Sequence, residues 1–273
     1  MQRYAFKVYY DGTKPFYGFQ RQPNVSTVEG ELIRALIKTR AVAPDLYAAK
    51  FSSAGRTDRF VSALGNVFAI NTDGNLLPRV INSKLRSDGI SVWARAQVPV
   101  SFNPRQALKR HYRYFMRVDD GIDLRLIVQV SKLFMGVHDF RNFAHRPSGS
   151  SSVREITDVS IIRVNDNFAC ISIIGDAFLR KMIRKIIGTL IHVSLGLLRP
   201  ENVEKLFDPK NPLPKRGVPT VPPEGLVLWD VDYGFPFEVD NYALRKLRRS
   251  ITEGMTVLVA KKMILDALEG LRE

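Results

Sequence analysis

Hydrophobic and polar positions alternate in several short segments of the chain, which is the pattern of β-strands that bury one face. The clearest alternation runs over residues 108–118, "LKRHYRYFMRV". One face of this predicted strand carries Arg110, Tyr112, Tyr114, Met116 and Val118. Runs rich in aromatic and β-branched residues predict further strands at 4–10, 66–72, 90–100, 159–165, 167–175 and 226–233.

Apolar residues spaced three and four positions apart predict helices elsewhere. In residues 25–40 the apolar positions share one face, and Ser26 and Glu29 have the spacing of a capping box that would start the helix. The longest predicted helix lies within 178–196 and is expected to end at Gly196. Further helices are predicted at 78–86, at 124–135 and in the tail beyond residue 235.

The order of these segments predicts an α+β fold with a mainly antiparallel sheet, because strands and helices are mixed without a strict βαβ rhythm. A boundary near residue 105 would divide the chain into two mixed halves, 1–105 and 106–234, followed by a helical C-terminal extension, 235–273. The proline-rich segment 208–225 is predicted to be an extended connector.

The charge of the chain predicts a class of partner. The 273 residues include 41 Lys+Arg against 27 Asp+Glu, a formal net charge of +14. Hydrophobic residues make up 45%, enough for a packed core, so the chain is not a disordered basic tail. A smaller charge would suffice for solubility. The excess therefore predicts a polyanionic partner, with nucleic acid the first candidate and a membrane surface the second.

Cysteine and histidine usage exclude several kinds of site. Cys170 is the single cysteine, which rules out a disulfide framework or a cysteine-rich zinc site, and the four histidines lack metal-ligand spacing. The N-terminal residues contain no apolar stretch long enough for a signal peptide, and no segment has the length and apolarity of a membrane span. The sequence therefore predicts a soluble, cytoplasmic protein.

Three separated segments combine basic residues with aromatic or apolar ones: 55–58 (GRTD), 110–114 (RHYRY) and 178–184 (FLRKMIR). Within them a single acid stands in a basic setting, because Asp58 lies between Arg56 and Arg59. This placement in a strongly basic chain makes Asp58 a candidate for chemistry.

These segments and three others resemble the motifs of the tRNA pseudouridine synthase A family. The matching stretches are YDGT at 10–13 with GFQRQ at 18–22 and TV at 27–28, GRTD at 55–58 with VSA at 61–63 and Gly65, RHYRY at 110–114, GVHDFRNFA at 136–144, FLRKMIRKIIGTLIHVSLG at 178–196, and GLVLWDVDY at 225–233. They occur in the family's order and cover most of the chain up to about residue 233.

The resemblance implies an isomerase that converts uridine to pseudouridine at nucleotides 38 to 40 of the tRNA anticodon stem-loop. It implies the pseudouridine synthase fold, in which two similar halves with antiparallel or mixed sheets, flanked by helices, enclose a catalytic cleft. It also implies a homodimer that binds tRNA, associates with no membrane, and needs no metal and no organic cofactor.

Asp58 is the candidate catalytic carboxylate. The uracil must leave C1′ of its ribose, turn, and rejoin through C5, and this requires the nucleotide to be flipped out of its stack. The carboxylate would act as a nucleophile or take a proton from the sugar, and the sequence leaves both open. A buried carboxylate needs a nearby cation to stay ionised at neutral pH, and the family match assigns this place to Arg184.

Tyr112 and Arg56 complete the predicted site. Tyr112 offers a flat face to the flipped uracil and a hydroxyl for proton transfer. Arg56 is expected to contact a phosphate or to fill the gap left by the flipped base. The basic neighbours of Arg184 in the sequence are expected to face solvent or RNA: Arg180, Lys181 and Lys185.

Each of these residues also has a purely structural interpretation. Taken alone, Asp58 is better explained as a turn residue paired with Arg56, because G-x-x-D is common in turns. Tyr112 would then be ordinary strand core, as is expected of Tyr114, and Arg184 would be a solvated helix residue. The rival functions are a non-catalytic RNA-binding protein on the same scaffold and a structural protein of a ribonucleoprotein particle.

The chain departs from the family pattern directly after Asp58. The small pair that usually follows the aspartate is replaced by Arg59-Phe60. A glycine in the second position would allow a left-handed backbone that Phe60 resists. The loop is therefore expected either to sit differently or to pack Phe60 on the pocket. Gly12, by contrast, is expected only to form a hairpin turn with Asp11.

Overall fold

A computed structural model describes residues 1–42, 46–119, 121–145, 151–211 and 217–269. In these ranges one large sheet runs through the molecule in the order β10-β4-β1-β3-β9-β5-β8-β7-β6, with β2 paired to β3. The strands are β1 (Gln2–Tyr10), β2 (Ser52–Ser53), β3 (Ser62–Thr72), β4 (Ile90–Val98), β5 (Lys109–Arg117), β6 (Gly136–Asp139), β7 (Val153–Arg163), β8 (Phe168–Gly175), β9 (Leu226–Asp232) and β10 (Glu238–Val239).

The predicted α+β class is confirmed, and the sheet is mixed because one of its described pairings is parallel. Strands β3 and β9 run parallel through the pairs Ser62 with Val227 and Ala63 with Leu228. The other described pairings are antiparallel, including the predicted pairing of β7 with β8. The late strand β9 therefore lies at the centre of the sheet, between β3 and β5.

The described α-helices are α1 (Val28–Lys38), α2 (Leu46–Ala49), α3 (Pro78–Asn82), α4 (Leu124–Ser131), α5 (Met182–Ser194), α6 (Glu201–Lys205) and α7 (Asn241–Glu269). The longest helix is α7 rather than α5. The predicted end of α5 is confirmed: Gly196 has a φ of +69°, its N–H donates to Val193 O at 3.0 Å, and the next N–H donates to His192 O at 2.8 Å. This pair of hydrogen bonds forms a Schellman motif.

The predicted capping box of α1 is wrong by one residue. Thr27 caps the helix, and its hydroxyl accepts a hydrogen bond from Gly30 N at 3.2 Å. The carbonyl of Ser26 instead accepts from Tyr17 N at 2.8 Å, which ties Ser26 to the preceding loop. The Glu29 carboxylate accepts a hydrogen bond from Arg21 N at 2.6 Å and so also fixes that loop.

Two hydrophobic cores lie along the sheet. The first is built mainly from β1, β3, β4 and α1, and the second from β5, β7, β8, α4 and α5. The two cores meet at the centre of the sheet. Leu228 and Val231 of β9 pack in the first core, whereas Val61, just before β3, packs in the second. The predicted boundary near residue 105 falls between β4 and β5, and it stays a prediction.

The segment beyond residue 235 forms a strand before it forms a helix. Glu238 and Val239 pair with Arg95 and Ala94 of β4, so the segment is not helical throughout as predicted. Helix α7 then packs its first two turns on the domain, while its side chains from Arg248 to Ile264 are exposed. Residues 270–273 of the predicted extension and 212–216 of the proline-rich connector lie outside the described residues.

Candidate active site

The topology of the central strands brings two predicted site residues together. Leu228 of β9 pairs with Ala63 of β3 on one side and with Tyr112 of β5 on the other. Neighbouring strands are about 4.8 Å apart, so Ala63 and Tyr112 are separated by roughly 10 Å. The segment that carries Asp58 leads directly into β3, and it therefore lies beside Tyr112.

The segment before Asp58 is fixed by a buried amide and a buried phenol. The Asn66 side chain accepts from Gly55 N at 3.2 Å and donates to Gly55 O at 3.0 Å. It also donates to the Tyr10 hydroxyl at 3.2 Å, and that hydroxyl shares a hydrogen bond with Thr57 Oγ1 at 2.7 Å. Because all these groups are buried, the network gives the backbone before Asp58 one arrangement.

Gly12 was predicted only to form a hairpin turn, but it also packs against the segment after Asp58. A Cβ atom on Gly12 would lie 2.5 Å from the carbonyl carbon of Val61 and 2.6 Å from that of Phe60. The Gly12 N–H also donates to Ser62 Oγ at 3.0 Å. The end of β1 therefore packs directly on the backbone after Asp58, at a distance that only glycine permits.

Phe60 adopts a left-handed backbone with a φ of +69°, and the expectation that a bulky residue would resist this conformation is wrong. Val61 N donates to Asp58 O at 3.2 Å and closes a four-residue turn in which Phe60 is the third residue. A positive φ at that position is typical of a type II turn, which favours glycine there. The turn is therefore retained with a bulky residue at its strained position.

The Asp58 carboxylate faces two arginines, one more than the family match assigned. Arg184 Nη1 lies 3.6 Å from Asp58 Oδ2, and Arg180 Nε lies 3.4 Å from Asp58 Oδ1. Their side chains differ in exposure: 13% for Arg184, 66% for Arg180 and 24% for Asp58. Arg184 is thus the more enclosed cation, and solvent screens its interaction with Asp58 less than that of Arg180.

Arg184 is held from its other side by the connector to β9. Its Nε donates to Val221 O at 2.8 Å, and its own carbonyl accepts from Val221 N at 3.3 Å. The first turn of α5 that carries Arg184 is fixed by Met182 and Ile183, both buried in the second core. The guanidinium therefore approaches Asp58 from a rigid support.

Tyr112 is half-buried beside this ion pair and packs against both cores. Its ring meets the edge of Phe178, with the ring centroids 5.3 Å apart. Burial raises the pKa of the Tyr112 hydroxyl to about 12, with Arg110 opposing the rise and the charge of Asp58 adding to it. No hydrogen bond joins this hydroxyl to any residue of the described ranges. The hydroxyl is therefore a neutral hydrogen-bond donor at neutral pH.

The remaining predicted residues divide between surface and support. Arg56 is exposed, on the segment next to Asp58. Arg180 is exposed as expected, although it also reaches Asp58. The expectation for Lys185 is wrong, because its ammonium donates to Asn142 O at 3.1 Å and to Ala144 O at 2.8 Å and so anchors a loop. Tyr114 is buried core, as predicted.

Arg110 is a buried residue that supports the backbone around the site. Its guanidinium donates to Arg105 O at 2.8 Å, to Ala54 O at 3.4 Å and to Asp176 O. It therefore joins the segment before Asp58 to the loop before α5. Sequence reasoning gave no individual role to three supporting residues. Phe178 lies within the matching stretch 178–196, whereas no local motif marks Asn66 or Val221.

Within the part of the chain described here, no group of three or more His, Cys, Asp and Glu side chains is placed to hold a metal ion. Over the same residues, no helix combines the length and apolar character needed to cross a membrane.

Comparison with known proteins connects this geometry to a family. A family model described as tRNA pseudouridine synthase matches residues 130–234. A protein of Thermococcus sibiricus named tRNA pseudouridine synthase A is 42% identical over 268 residues, which span 97% of this chain and 97% of the relative.

Two further relatives carry the same name. That of Pyrococcus furiosus is 41% identical over 92% of this chain and 91% of its own length. That of Methanothermobacter thermautotrophicus is 37% identical over 98% of this chain and 95% of its own length. Similarity at this level over almost the whole length leaves no large segment unmatched. The chain belongs to the tRNA pseudouridine synthase A family.

Proposed function

We propose that this chain isomerises uridine to pseudouridine at positions 38 to 40 of the tRNA anticodon stem-loop, with Asp58 as the catalytic residue. Membership of the family makes it an isomerase that acts on uridine in tRNA. The assignment of the site rests on one observation. The Asp58 carboxylate pairs with Arg184 at 3.6 Å, beside the Tyr112 hydroxyl, which forms no hydrogen bond with the described residues.

The isomerisation exchanges one bond to the ribose for another. The bond from N1 to C1′ breaks, a bond from C5 to C1′ forms, C5 loses its proton to solvent, and N1 gains one. Asp58 serves this exchange as a nucleophile or as the base that takes a proton from the sugar. Arg184, 3.6 Å from the carboxylate, orients it through the attraction of opposite charges.

The substrate nucleotide must leave its stack to reach Asp58, on the loop that leads into β3. Tyr112 presents a ring for the flipped uracil and a protonated hydroxyl beside it. Arg56 is exposed next to Asp58 and is placed to contact a phosphate or to fill the gap in the stack. The formal charge of +14 supports binding of the tRNA backbone.

The release of tritium from C5 of labelled uridine in tRNA tests the assignment, because the label is lost only when C5 becomes bonded to the ribose. We expect Asp58→Asn to abolish release while the protein still binds tRNA. Release at the wild-type rate by Asp58→Asn would refute the role of Asp58. Binding by the wild type without release would instead indicate a non-catalytic RNA-binding protein.

The finer parts of the proposal have their own tests. Mapping pseudouridine in tRNA from cells that lack this protein would identify the modified positions, and loss confined to 38 to 40 is the expected result. We further propose that the chain acts in the cytoplasm as a homodimer, with a cleft between the halves 1–105 and 106–234. Sedimentation of the protein at assay concentration tests the dimer.

A further inference from the structure

We propose that Arg59 forms a prebuilt binding site for one phosphodiester of the RNA strand, within one nucleotide of the target uridine. Tyr17 and Phe60 are its positioning residues. The inference rests on the proposed function for the identity of the RNA, but the site itself is argued from side chains that the mechanism above does not use.

The Arg59 guanidinium is held by two aromatic rings. Its central carbon lies 4.1 Å from the centre of the Tyr17 ring and 4.5 Å from the centre of the Phe60 ring. The rings come from two segments of the chain, which are joined where Phe19 N donates to Thr57 O at 3.1 Å. Contact with two rings restricts a side chain that is otherwise free to rotate.

The same guanidinium has unused hydrogen-bonding capacity. Arg59 is exposed, and none of the described residues accepts a hydrogen bond from its side chain or forms an ion pair with it. Interaction with a ring face uses the positive charge and leaves the N–H donors available. A stacked arginine with free N–H groups suits a planar, two-point contact with a phosphate.

Prior ordering adds to the affinity of such a site. A free arginine loses rotamer freedom when it binds a phosphate, and this loss weakens binding. The Tyr17 ring, which is 45% exposed, and the Phe60 ring already restrict Arg59 before RNA arrives. The arrangement thus has the properties of a built anion site rather than of a solvated surface charge.

The position of Arg59 specifies which phosphate it meets. It directly follows Asp58, so its backbone lies about 3.8 Å from that of the catalytic residue. A nucleotide whose C1′ is at Asp58 has its flanking phosphates within reach of an arginine at this point. Arg180 and Arg184 are engaged with the carboxylate itself, which leaves Arg59 as a cation free for the strand.

The strained backbone of Phe60 supports the same conclusion. A φ of +69° is strained for a bulky residue, whereas glycine adopts it readily. The ring contact with Arg59 is a gain that glycine at this position would not give. The two-residue departure from the family pattern, Arg59-Phe60, therefore acts as one unit.

The test measures binding of an anticodon stem-loop RNA to the full chain at several salt concentrations. Arg59→Gln is expected to weaken binding about tenfold and to reduce the slope of log Kd against log salt by about one, as for one lost phosphate contact. Arg163→Gln is the matched control, because this arginine is exposed at the end of β7. It lies four residues beyond Val159, the β7 position level with Tyr112 in the sheet. This variant should leave both quantities unchanged.

Single neutral methylphosphonates placed along the RNA identify the phosphate. If Arg59 binds one phosphodiester, wild-type affinity falls when the phosphate within one nucleotide of the target is neutralised, and Arg59→Gln shows no further loss at that position. This is a double-mutant cycle between protein and RNA. Losses that add at every position, or an Arg59→Gln variant that behaves like Arg163→Gln, overturn the proposal.

The positioning residues are tested by pairs that keep or remove a ring. Tyr17→Phe and Phe60→Tyr should retain the salt slope and the coupling, whereas Tyr17→Leu and Phe60→Gly should weaken both. Phe60→Gly suits the left-handed turn, so misfolding would not explain its loss. Unchanged coupling in both ring-deleting variants overturns the role of the rings. These measurements need no turnover, whereas tritium release by the wild type tests the proposed function separately.

Discussion

The Asp58 carboxylate lies 3.6 Å from the guanidinium of Arg184, although one residue stands on the loop before β3 and the other on the first turn of α5. The Arg184 side chain also donates to Val221 O, so it is fixed at both ends. Arg180 reaches the same carboxylate at 3.4 Å, but from a side chain that is mostly in solvent. The two arginines therefore differ in what they contribute to the site.

Replacement of each arginine separates these contributions. We expect Arg184→Gln to lower kcat for tritium release by about 10²- to 10³-fold, the range for loss of one preorganised electrostatic group. The matched variant Arg180→Gln should lower it by less than about fivefold, because exposed ion pairs contribute about 1 kcal/mol or less. A larger effect at Arg180 than at Arg184 would contradict the proposed pairing.

Tyr112 provides a second contrast, between its ring and its hydroxyl. Tyr112→Phe keeps the ring, so binding of tRNA should be nearly unchanged while kcat falls about 10²-fold through loss of the proton donor. Tyr112→Leu should in addition weaken binding, because stacking on the base is lost. Wild-type kcat in Tyr112→Phe would show that only the ring is used.

The ionisation of Tyr112 can be measured directly. Because its pKa is raised to about 12, the phenol stays protonated at pH 10, where half of an ordinary tyrosine is ionised. The raised pKa also contributes stability that is present below pH 10 and is lost as the pH rises toward 12. An ultraviolet titration of wild type minus Tyr112→Phe should therefore show no Tyr112 ionisation at pH 10; a midpoint near 10 would contradict the burial argument.

The sequence was informative wherever a local pattern decides the structure. The alternation around Tyr112 predicted β5, and the helical spacing before Gly196 predicted α5 with its end. The central position of β9 was not predictable in the same way, because pairing of Leu228 with both Ala63 and Tyr112 depends on contacts between distant segments. That pairing brings the site together.

The roles of the supporting residues were not predictable from the sequence for a related reason. Asn66 resembles any polar residue at a strand, and its pairing with Gly55 appears only when two chain segments meet. Helix α1 is capped by Thr27 and not by Ser26 as predicted. The Ser26 carbonyl accepts a hydrogen bond from the loop at Tyr17, a contact that a capping motif does not reveal. Phe60 was also not predictable, because a bulky residue was expected to resist a left-handed backbone, whereas the structure has a φ of +69° there and places the ring against Arg59.

Loss of the Asn66 amide should destabilise the catalytic segment. Asn66→Leu leaves Gly55 N and O without partners in a buried setting, and each such group costs about 1–3 kcal/mol. We expect a lower urea midpoint and a reduced kcat, with tRNA affinity changed little. Asn82→Leu is the control: Asn82 also bonds backbone, at Val92, but away from the site. It should lower stability alone, and equal loss of kcat would refute a local role for Asn66.

Gly12→Ala tests the close approach between β1 and the turn after Asp58. The added methyl group meets the carbonyl carbons of Val61 and Phe60 at 2.5 and 2.6 Å, so the backbone of the turn must move. Overpacking of this kind costs about 1–3 kcal/mol. Because the turn carries Asp58, the urea midpoint and kcat should fall together.

Gly254→Ala is the matched control for this substitution. Gly254 lies in the exposed part of α7, and a Cβ atom there meets nothing within 4 Å. Alanine in a helix interior is favoured over glycine by about 0.5–1 kcal/mol, so this variant should be as stable as the wild type or slightly more stable, with unchanged kcat. If Gly12→Ala matched Gly254→Ala in both measurements, Gly12 would be the simple hairpin residue that its sequence context suggests.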